Sequence, residues 1–354
     1  MQSGQLHHTV SIRQVQQVLQ GARRQGLACE ALLQRAGIAP ALLESGLSRV
    51  TPGQYASLLR LLRRAMRDEF WGLTSRRVPP GSFSQTCRLL IHARTLGEAL
   101  AIGFRAYHLL LEDFTPRLQV QGELARVRMV SRVARDARLS YAERTFCFFC
   151  YGLMCWLVGR RVPLLQVTYP HDATPLGNEV ERMFAAPLLR NAELMGMDLH
   201  ARWLQLPIVQ APQAMESFLR EAPANLLVKY RDQSSLVERI RRLLRRQLAS
   251  GLPSLEAAAE AVSLSPQTLR RRLQAEGLGY QQIKDDLRRD VAIEYLGQPD
   301  LTLLDIAARL GFSEASTFHR AFKEWTGQAP GVYRQTRLQA DDPTGPESAS
   351  GWQP

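Results

Sequence analysis

Ser265-Pro266-Gln267-Thr268-Leu269-Arg270-Arg271-Arg272-Leu273-Gln274 and Ser313-Glu314-Ala315-Ser316-Thr317-Phe318-His319-Arg320-Ala321-Phe322-Lys323 follow one plan. Each opens on a serine suited to cap a helix and then carries an apolar pair four residues apart, Leu269 with Leu273 and Phe318 with Phe322. The second pair lies 49 residues after the first. A short supporting helix is predicted before each copy, Leu255 to Val262 with Ala259 facing inward and Leu303 to Leu310 with Ile306 and Ala307. Ser263-Leu264 turns the first copy and Pro266 fills its first helical position, whereas Gly311 turns the second and Phe312 plugs it. Two helices joined by a tight turn, repeated once, predict a tandem helix-turn-helix, with Asp285 to Leu296 as the helix between the copies.

The apolar pair uses the inner face of each second helix, so the outer face decides what that helix meets. It shows Gln267, Thr268, Arg270, Arg271 and Gln274 in the first copy and Ser316, Thr317, His319, Arg320 and Lys323 in the second. Arginine bonds guanine at two points, glutamine does the same with adenine, and serine or threonine reaches base edges or phosphates. One such face alone would be an ordinary solvated surface. Two on one plan point to the major groove of double-stranded DNA. Arg241, Arg242, Arg245 and Arg246, on the helix before the repeat, read either as phosphate contacts or as a solvated face.

Charge alone would have misplaced this site. The 354 residues carry a net +12, yet Tyr230 to Ala340 holds 17 basic and 13 acidic side chains while Met1 to Lys229 holds 28 and 17. With 45% hydrophobic and 22% charged residues the chain has the composition of a globular protein of about two domains, which excludes a wholly disordered or collagenous one. Its longest apolar stretch, Phe146 to Gly159, is too short for the roughly 20 residues that span a bilayer, so no membrane partner is expected. Met1 to Val10 lacks the pattern of a secretory signal, and a cytoplasmic location is expected. Five cysteines, three of them inside the apolar stretch, suit reduced thiols, and Cys147-x-x-Cys150 reads as core packing.

The first part reads as helices: Ser11 to Gln25, Cys29 to Ala36, Pro40 to Ser45, Thr51 to Arg67 and Thr95 to Leu111. A hairpin follows over Arg117 to Val133, turning at Gln121-Gly122-Glu123. Then come an apolar helix Tyr141 to Val158, a strand near Leu164 to Tyr169, a polar helix near Asn178 to Phe184 and a strand near Leu194 to Leu199. The fold class is therefore mixed: an α+β amino-terminal domain, then an all-α tandem helix-turn-helix domain. The expected boundaries are 1–223 for the first domain, 224–233 for a linker, 234–338 for the DNA-binding domain and 339–354 for a disordered tail.

Nothing in the first domain reads as a catalytic centre. It has no glycine-rich phosphate loop, no H-E-x-x-H, no G-x-S-x-G and no clustered carboxylate pair, so no enzyme activity, catalytic residue, cofactor or metal is expected. The helix carrying Phe146, Phe148, Phe149, Tyr151, Met154 and Trp156 is apolar nearly all round and hence buried. Core packing is one reading of it. The sharper one makes Tyr107, His108, Phe148, Tyr151, Met154 and Trp156 the wall of a pocket for an apolar or amphiphilic effector, whereas a polar amino-acid effector would recruit an arginine such as Arg105 or Arg144.

Gly311 to Gly327, followed by Pro330 and Tyr333-Arg334, resembles the signature of the AraC/XylS family of bacterial transcriptional regulators, and Ser265 to Gly277 resembles its first recognition helix. The resemblance implies seven helices whose two recognition helices enter successive major-groove segments. Base contacts are implied at Gln267, Arg270 and Arg271 and at Ser316, Thr317, His319 and Arg320, and Ala315 departs from the longer polar residue of relatives. Gly26 to Leu47, Pro80-Gly81 with Thr95 to Leu100, and Ala201 to Pro207 resemble the effector domain of the branch typified by ornithine-utilisation regulators. That branch implies an effector-sensing and dimerisation domain and hence a homodimer, the family resemblance favours activation, and RNA polymerase is a further candidate partner. A mainly β arabinose barrel is not expected after a hundred helical residues. A constitutive regulator whose first domain only dimerises or binds a protein partner remains the alternative.

Overall fold

A computed structural model of the chain describes residues 9–170, 184, 186–221, 236–276 and 278–341. Four segments build the first unit: α1 (Ile12–Arg24), α2 (Cys29–Arg35), a 3-10 turn at Pro40–Glu44 and α3 (Pro52–Met66). Thr51 and Gln54 form a capping box at the start of α3, with Pro52 in the first turn, and Tyr55, Leu58, Leu59 and Leu62 face inward. Two-residue strands β1 (Val10–Ser11) and β2 (Arg49–Val50) pair antiparallel and close the unit. They are too short to leave an alternating pattern in the sequence. Next come α4 (Ser82–Leu90), which the sequence reading passed over, and α5 (Leu96–Leu110).

The sheet contains β3 (Phe114–Gln121), β4 (Leu124–Ser131), β5 (Gln166–Pro170), β6 (Leu188–Ala192) and β7 (Met195–His200), in the order β3-β4-β7-β5-β6. All neighbours run antiparallel except β5 and β6. The expected hairpin is β3–β4, whose two-residue turn places Gly122 at φ 56°. Helix α6 (Ala137–Leu157) starts four residues before the expected Tyr141, because the Asp136 side chain accepts the Leu139 amide at 2.7 Å. The polar helix expected near Asn178 to Phe184 lies, apart from Phe184, outside the described residues, as does the expected linker. Helix α7 (Pro212–Glu221) lies where the sequence reading saw no pattern; Phe218 stacks on Trp156 of α6 with ring centres 4.2 Å apart.

Seven helices complete the described residues: α8 (Leu236–Arg246), α9 (Leu255–Ala261), α10 (Pro266–Ala275), α11 (Tyr280–Leu296), α12 (Leu303–Arg309), α13 (Ala315–Thr326) and α14 (Pro330–Asp341). The last runs three residues past the expected domain end. No helix among the described residues is long and apolar enough to cross a membrane.

The two halves meet at a buried carboxylate. Asp290 of α11 accepts Arg241 Nη2 of α8 at 2.6 Å, Arg289 Nη2 at 3.3 Å and the Thr9 hydroxyl at 2.5 Å. Thr9 in turn accepts Arg49 Nε at 2.6 Å through its hydroxyl and Arg49 Nη2 at 2.8 Å through its carbonyl. Two more bonds cross the same interface: the Tyr333 hydroxyl donates to the Arg49 carbonyl, and Ser45 Oγ donates to the Thr326 carbonyl at 3.1 Å. Burial alone would raise the Asp290 pKa, but the Arg289, Arg241 and Arg49 guanidiniums and the Thr9 bond outweigh it and hold the carboxyl at about 2.

Arg241→Ala removes the closer of the two guanidiniums from a buried carboxylate and leaves Arg289 and Thr9 against it, so it should cost about 1–3 kcal/mol in urea unfolding at neutral pH. The folded pKa lies below the unfolded value of about 3.9, so the stabilisation is complete above that value and fades as pH falls toward 2. Asp290→Asn should therefore differ from wild type at pH 7 and converge on it between about pH 4 and pH 2.

Candidate nucleic-acid interface and effector cavity

The two helix-turn-helix copies share their turn geometry. The Leu264 amide donates to the Ala259 carbonyl at 2.9 Å, and the Phe312 amide to the Ala307 carbonyl at 3.0 Å. A left-handed residue makes each turn, Ser263 at φ 58° and Gly311 at φ 74°. At Gly311 a Cβ would also lie 2.7 Å from the Leu248 carbonyl oxygen, so glycine is required there on space as well as on φ.

From that residue the copies diverge by one position. Ser265 caps α10, its Oγ accepting the Thr268 amide at 3.2 Å. The second turn is one residue longer, which moves Ser313 out of the cap; Glu314 takes the position and makes no side-chain cap bond. The expected Ser313 cap is thus corrected. Ser316 Oγ instead donates to Glu314 Oε2 at 3.0 Å.

Helix α11 holds both copies. At its start the Tyr280 hydroxyl donates to the Pro253 carbonyl at 2.9 Å, just before α9. Further along, Arg288 Nε donates to the Leu310 carbonyl at 3.2 Å, and its guanidinium lies over the Phe312 ring, 4.8 Å from the centroid. Phe312 packs on Phe318 and Trp325, which fixes α13 against the turn. With Leu269, Leu273, Phe318 and Phe322 buried, Gln267, Arg270, Arg271 and Gln274 are exposed on α10, and Ser316, Thr317, Arg320 and Lys323 on α13. Thr268 and His319 are half-buried: the Thr268 hydroxyl accepts from Ser265 at 2.8 Å, and the His319 ring meets the Phe318 ring edge-on. Arg272, left out of the sequence reading, is exposed as well. Arg241 cannot serve as a phosphate contact because it is spent on Asp290, and Arg245 lies 3.5 Å from Glu294; Arg242 and Arg246 are exposed.

Away from the reading helices, α3 to α7 enclose a cavity of about 120 Å³. Its wall is aromatic and aliphatic: Leu59 of α3, Phe70 and Trp71 of the following loop, Phe83 and Leu90 of α4, Leu100, Phe104 and Tyr107 of α5, and Leu219 of α7. Helix α6 contributes Phe146, Phe149, Cys150, Leu153, Met154 and Leu157, whose three-and-four spacing is a single helical face. Of the expected pocket residues, Tyr107 and Met154 line this cavity. Phe148 borders a smaller one beside Tyr55 and Tyr141, and His108, Tyr151 and Trp156 lie elsewhere. The His108 ring bonds the Pro116 carbonyl, Tyr151 donates to the Val162 carbonyl at 2.9 Å, and Trp156 stacks on Phe218. Arg144 is buried against Tyr169 and Gln17, and Arg105 bonds the Ala101 carbonyl, so neither faces the cavity. Among the described residues no cluster of His, Cys, Asp and Glu is placed to hold a metal ion.

Residues 26–208 match the family described as the arabinose-binding domain of AraC transcription regulator, N-terminal. The chain belongs to the AraC family of transcriptional regulators. Residues 258–336 match a helix-turn-helix domain family, so this AraC-family chain joins a ligand-binding domain to a DNA-binding one and is not an enzyme. It is 26% identical over 311 residues to the ornithine utilization regulator of Pseudomonas aeruginosa, covering 88% of this chain and 91% of that protein. Over 101 residues it is 44% identical to the HTH-type transcriptional regulator VirS of Mycobacterium tuberculosis, 28% of this chain and 30% of that one. Among solved structures it is similar to the transcriptional regulator CdpR from Pseudomonas aeruginosa, 24% identical over 92% of this chain and 97% of that chain, with a TM-score of 0.31.

The two serines at the reading helices should separate in a stability assay. Ser265→Ala removes a cap and should cost about 1 kcal/mol in urea unfolding. Ser313→Ala removes no cap bond and should stay within about 0.5 kcal/mol of wild type.

Proposed function

We propose that this AraC-family regulator is an effector-responsive activator, with residues 1–223 as effector-binding and dimerisation domain and residues 234–338 as DNA-binding domain. Helices α10 and α13 read successive major-groove segments, the first through Gln267, Thr268, Arg270, Arg271 and Gln274, the second through Ser316, Thr317, His319, Arg320 and Lys323. One observation carries the reading: two helices with buried apolar pairs turn guanidinium, amide and hydroxyl groups outward while a single helix, α11, is bonded both to the start of the first copy and to the turn of the second. That is the arrangement two linked helices need to follow one face of a duplex. Homodimerisation, activation, recruitment of RNA polymerase and a cytoplasmic location rest on family membership. The cavity of α3 to α7 is the effector site in this reading, because it is the apolar concave space a small ligand would fill.

The test is binding to an operator selected from a random-sequence duplex library, followed by fluorescence anisotropy. Arg271→Ala and Arg320→Ala should each weaken that complex by about 1–3 kcal/mol and relax discrimination at a different base pair, with far-UV circular dichroism unchanged. Wild-type affinity in both variants overturns the assignment of base-reading residues.

A further inference from the structure

A sugar site must give each hydroxyl a hydrogen-bonding partner, since polar groups buried without one are costly. The cavity of α3 to α7 does not meet that need. Phenylalanine, tryptophan and leucine make up most of its wall; besides Tyr107 its hydroxyls are Ser84, Thr86 and Thr145, and that of Thr86 is already donated to the Ser82 carbonyl at 2.9 Å, too few for a polyhydroxylated ligand.

Its charged groups are three. Arg60 and Arg63, one turn apart on α3, reach the lining with Glu69 and Tyr107. Both Glu69 oxygens are occupied: Oε1 accepts the Gly81 amide at 2.7 Å and Oε2 the Phe83 amide at 2.8 Å. An ammonium group would have to compete with those amides and face two guanidiniums. Neither arginine makes an ion pair or hydrogen bond with another described side chain, although Arg63 lies close enough to Glu69 to act on its charge. The half-buried Tyr107 likewise has no hydrogen-bond partner for its hydroxyl among the described residues; the ring packs edge-on against Phe146 at 4.9 Å. A wall that is mostly aromatic and aliphatic, whose two guanidiniums stand on one helix without a partner among the described residues and whose one carboxylate is already bonded, suits an apolar body with a single anionic group.

We infer that the cavity takes an apolar monocarboxylate, its carboxylate held by Arg63 and Arg60, with the Tyr107 hydroxyl donating to it and its hydrocarbon body among Phe83, Phe104 and Phe149. The inference rests on the reading of this cavity as the effector site and excludes the sugar that the name of the matched family suggests. Arg63 is half-buried and carries more of the selectivity than Arg60, which is exposed and screened by water.

Isothermal titration calorimetry on the full chain tests it, with decanoate, decan-1-ol, decylamine and L-arabinose, each amphiphile kept below its micelle concentration. Decanoate should bind one per chain, decan-1-ol about tenfold more weakly, and decylamine and L-arabinose not measurably. The double variant Arg60→Ala/Arg63→Ala should bring decanoate down to the affinity of decan-1-ol and leave decan-1-ol unchanged. Tyr107→Phe, which keeps the shape of the wall, should weaken decanoate more than decan-1-ol. Thr145→Trp or Met154→Phe, each filling the cavity, should remove both ligands with far-UV circular dichroism unchanged. Equal binding of decanoate and decan-1-ol in wild type and double variant would overturn the carboxylate assignment while the apolar cavity stands. L-arabinose bound without either amphiphile, decanoate undiminished in a folded cavity-filling variant, or no binding of any of the four would overturn the cavity reading as well.

Discussion

A carboxylate shielded from water must be neutralised by whatever surrounds it, and Asp290 collects its partners from two distant segments and from its own helix. Arg241 comes from α8, Arg289 from α11 beside Asp290 itself, and Thr9, itself held by Arg49, from the amino-terminal half. The demand of this one charge docks the first helical unit on α11. Ser45 then reaches the Thr326 carbonyl and Tyr333 the Arg49 carbonyl, so the bonds across the interface fall on α11, α13 and α14. Gly327, at φ 77°, lets the chain pass there, since a Cβ would lie 2.6 Å from Ser45 Oγ. The second reading helix is therefore bonded at its end to the amino-terminal half.

The reading helices were legible because every signal that specifies them is local: an apolar pair one turn apart, a proline in a first turn and a glycine at a left-handed position. Ser313 misled because capping depends on the length of the turn before it, and one extra residue there leaves the serine outside the helix. Charge at Arg241 misled for a different reason. Its partner stands 49 residues on, and no pattern in the sequence distinguishes a buried arginine from a phosphate contact. Strands β1 and β2 are fixed by pairing across the fold, with too few residues to alternate, whereas β6, Leu-Leu-Arg-Asn-Ala, has the length but not the alternation. Helix α7 did carry a signal, Met215 with Phe218 and Leu219, which the neighbouring prolines obscured.

The pocket was half legible. A helix apolar on every side announces burial, yet its periodicity does not say which stripe meets packed protein and which meets a void. In α6 the stripe through Phe146, Phe149, Cys150, Leu153 and Leu157 faces the cavity. Phe148 and Tyr151 point away from it, both against Phe184, and the Tyr151 hydroxyl is committed to Val162. Of the groups beside the guanidiniums only Tyr107 was legible; Arg60, Arg63 and Glu69 carry no local pattern that sets them apart from other surface charges, and only the folded chain brings them to the same wall.

Helix α3 connects these features. Its capping residue, Thr51, is two residues from Arg49, whose guanidinium holds Thr9 at the Asp290 interface, and its later turns supply Leu59, Arg60 and Arg63 to the cavity wall. From Thr51 to Arg63 the helix spans about 18 Å at 1.5 Å per residue, and its internal backbone bonds make it move as a rod. At the opposite wall Leu219 belongs to α7, the last described element before α8. A ligand between α3 and α7 thus presses on both connections to the DNA-binding half, one hydrogen-bonded and one covalent. Filling the cavity is not sufficient by itself, however: only a ligand that binds better in one position of α3 than in another can shift that helix, and with it the Arg49 end. A headgroup held by Arg60 and Arg63 meets that condition, because its partners ride on α3 itself, whereas a purely apolar body pressed on every wall alike would not.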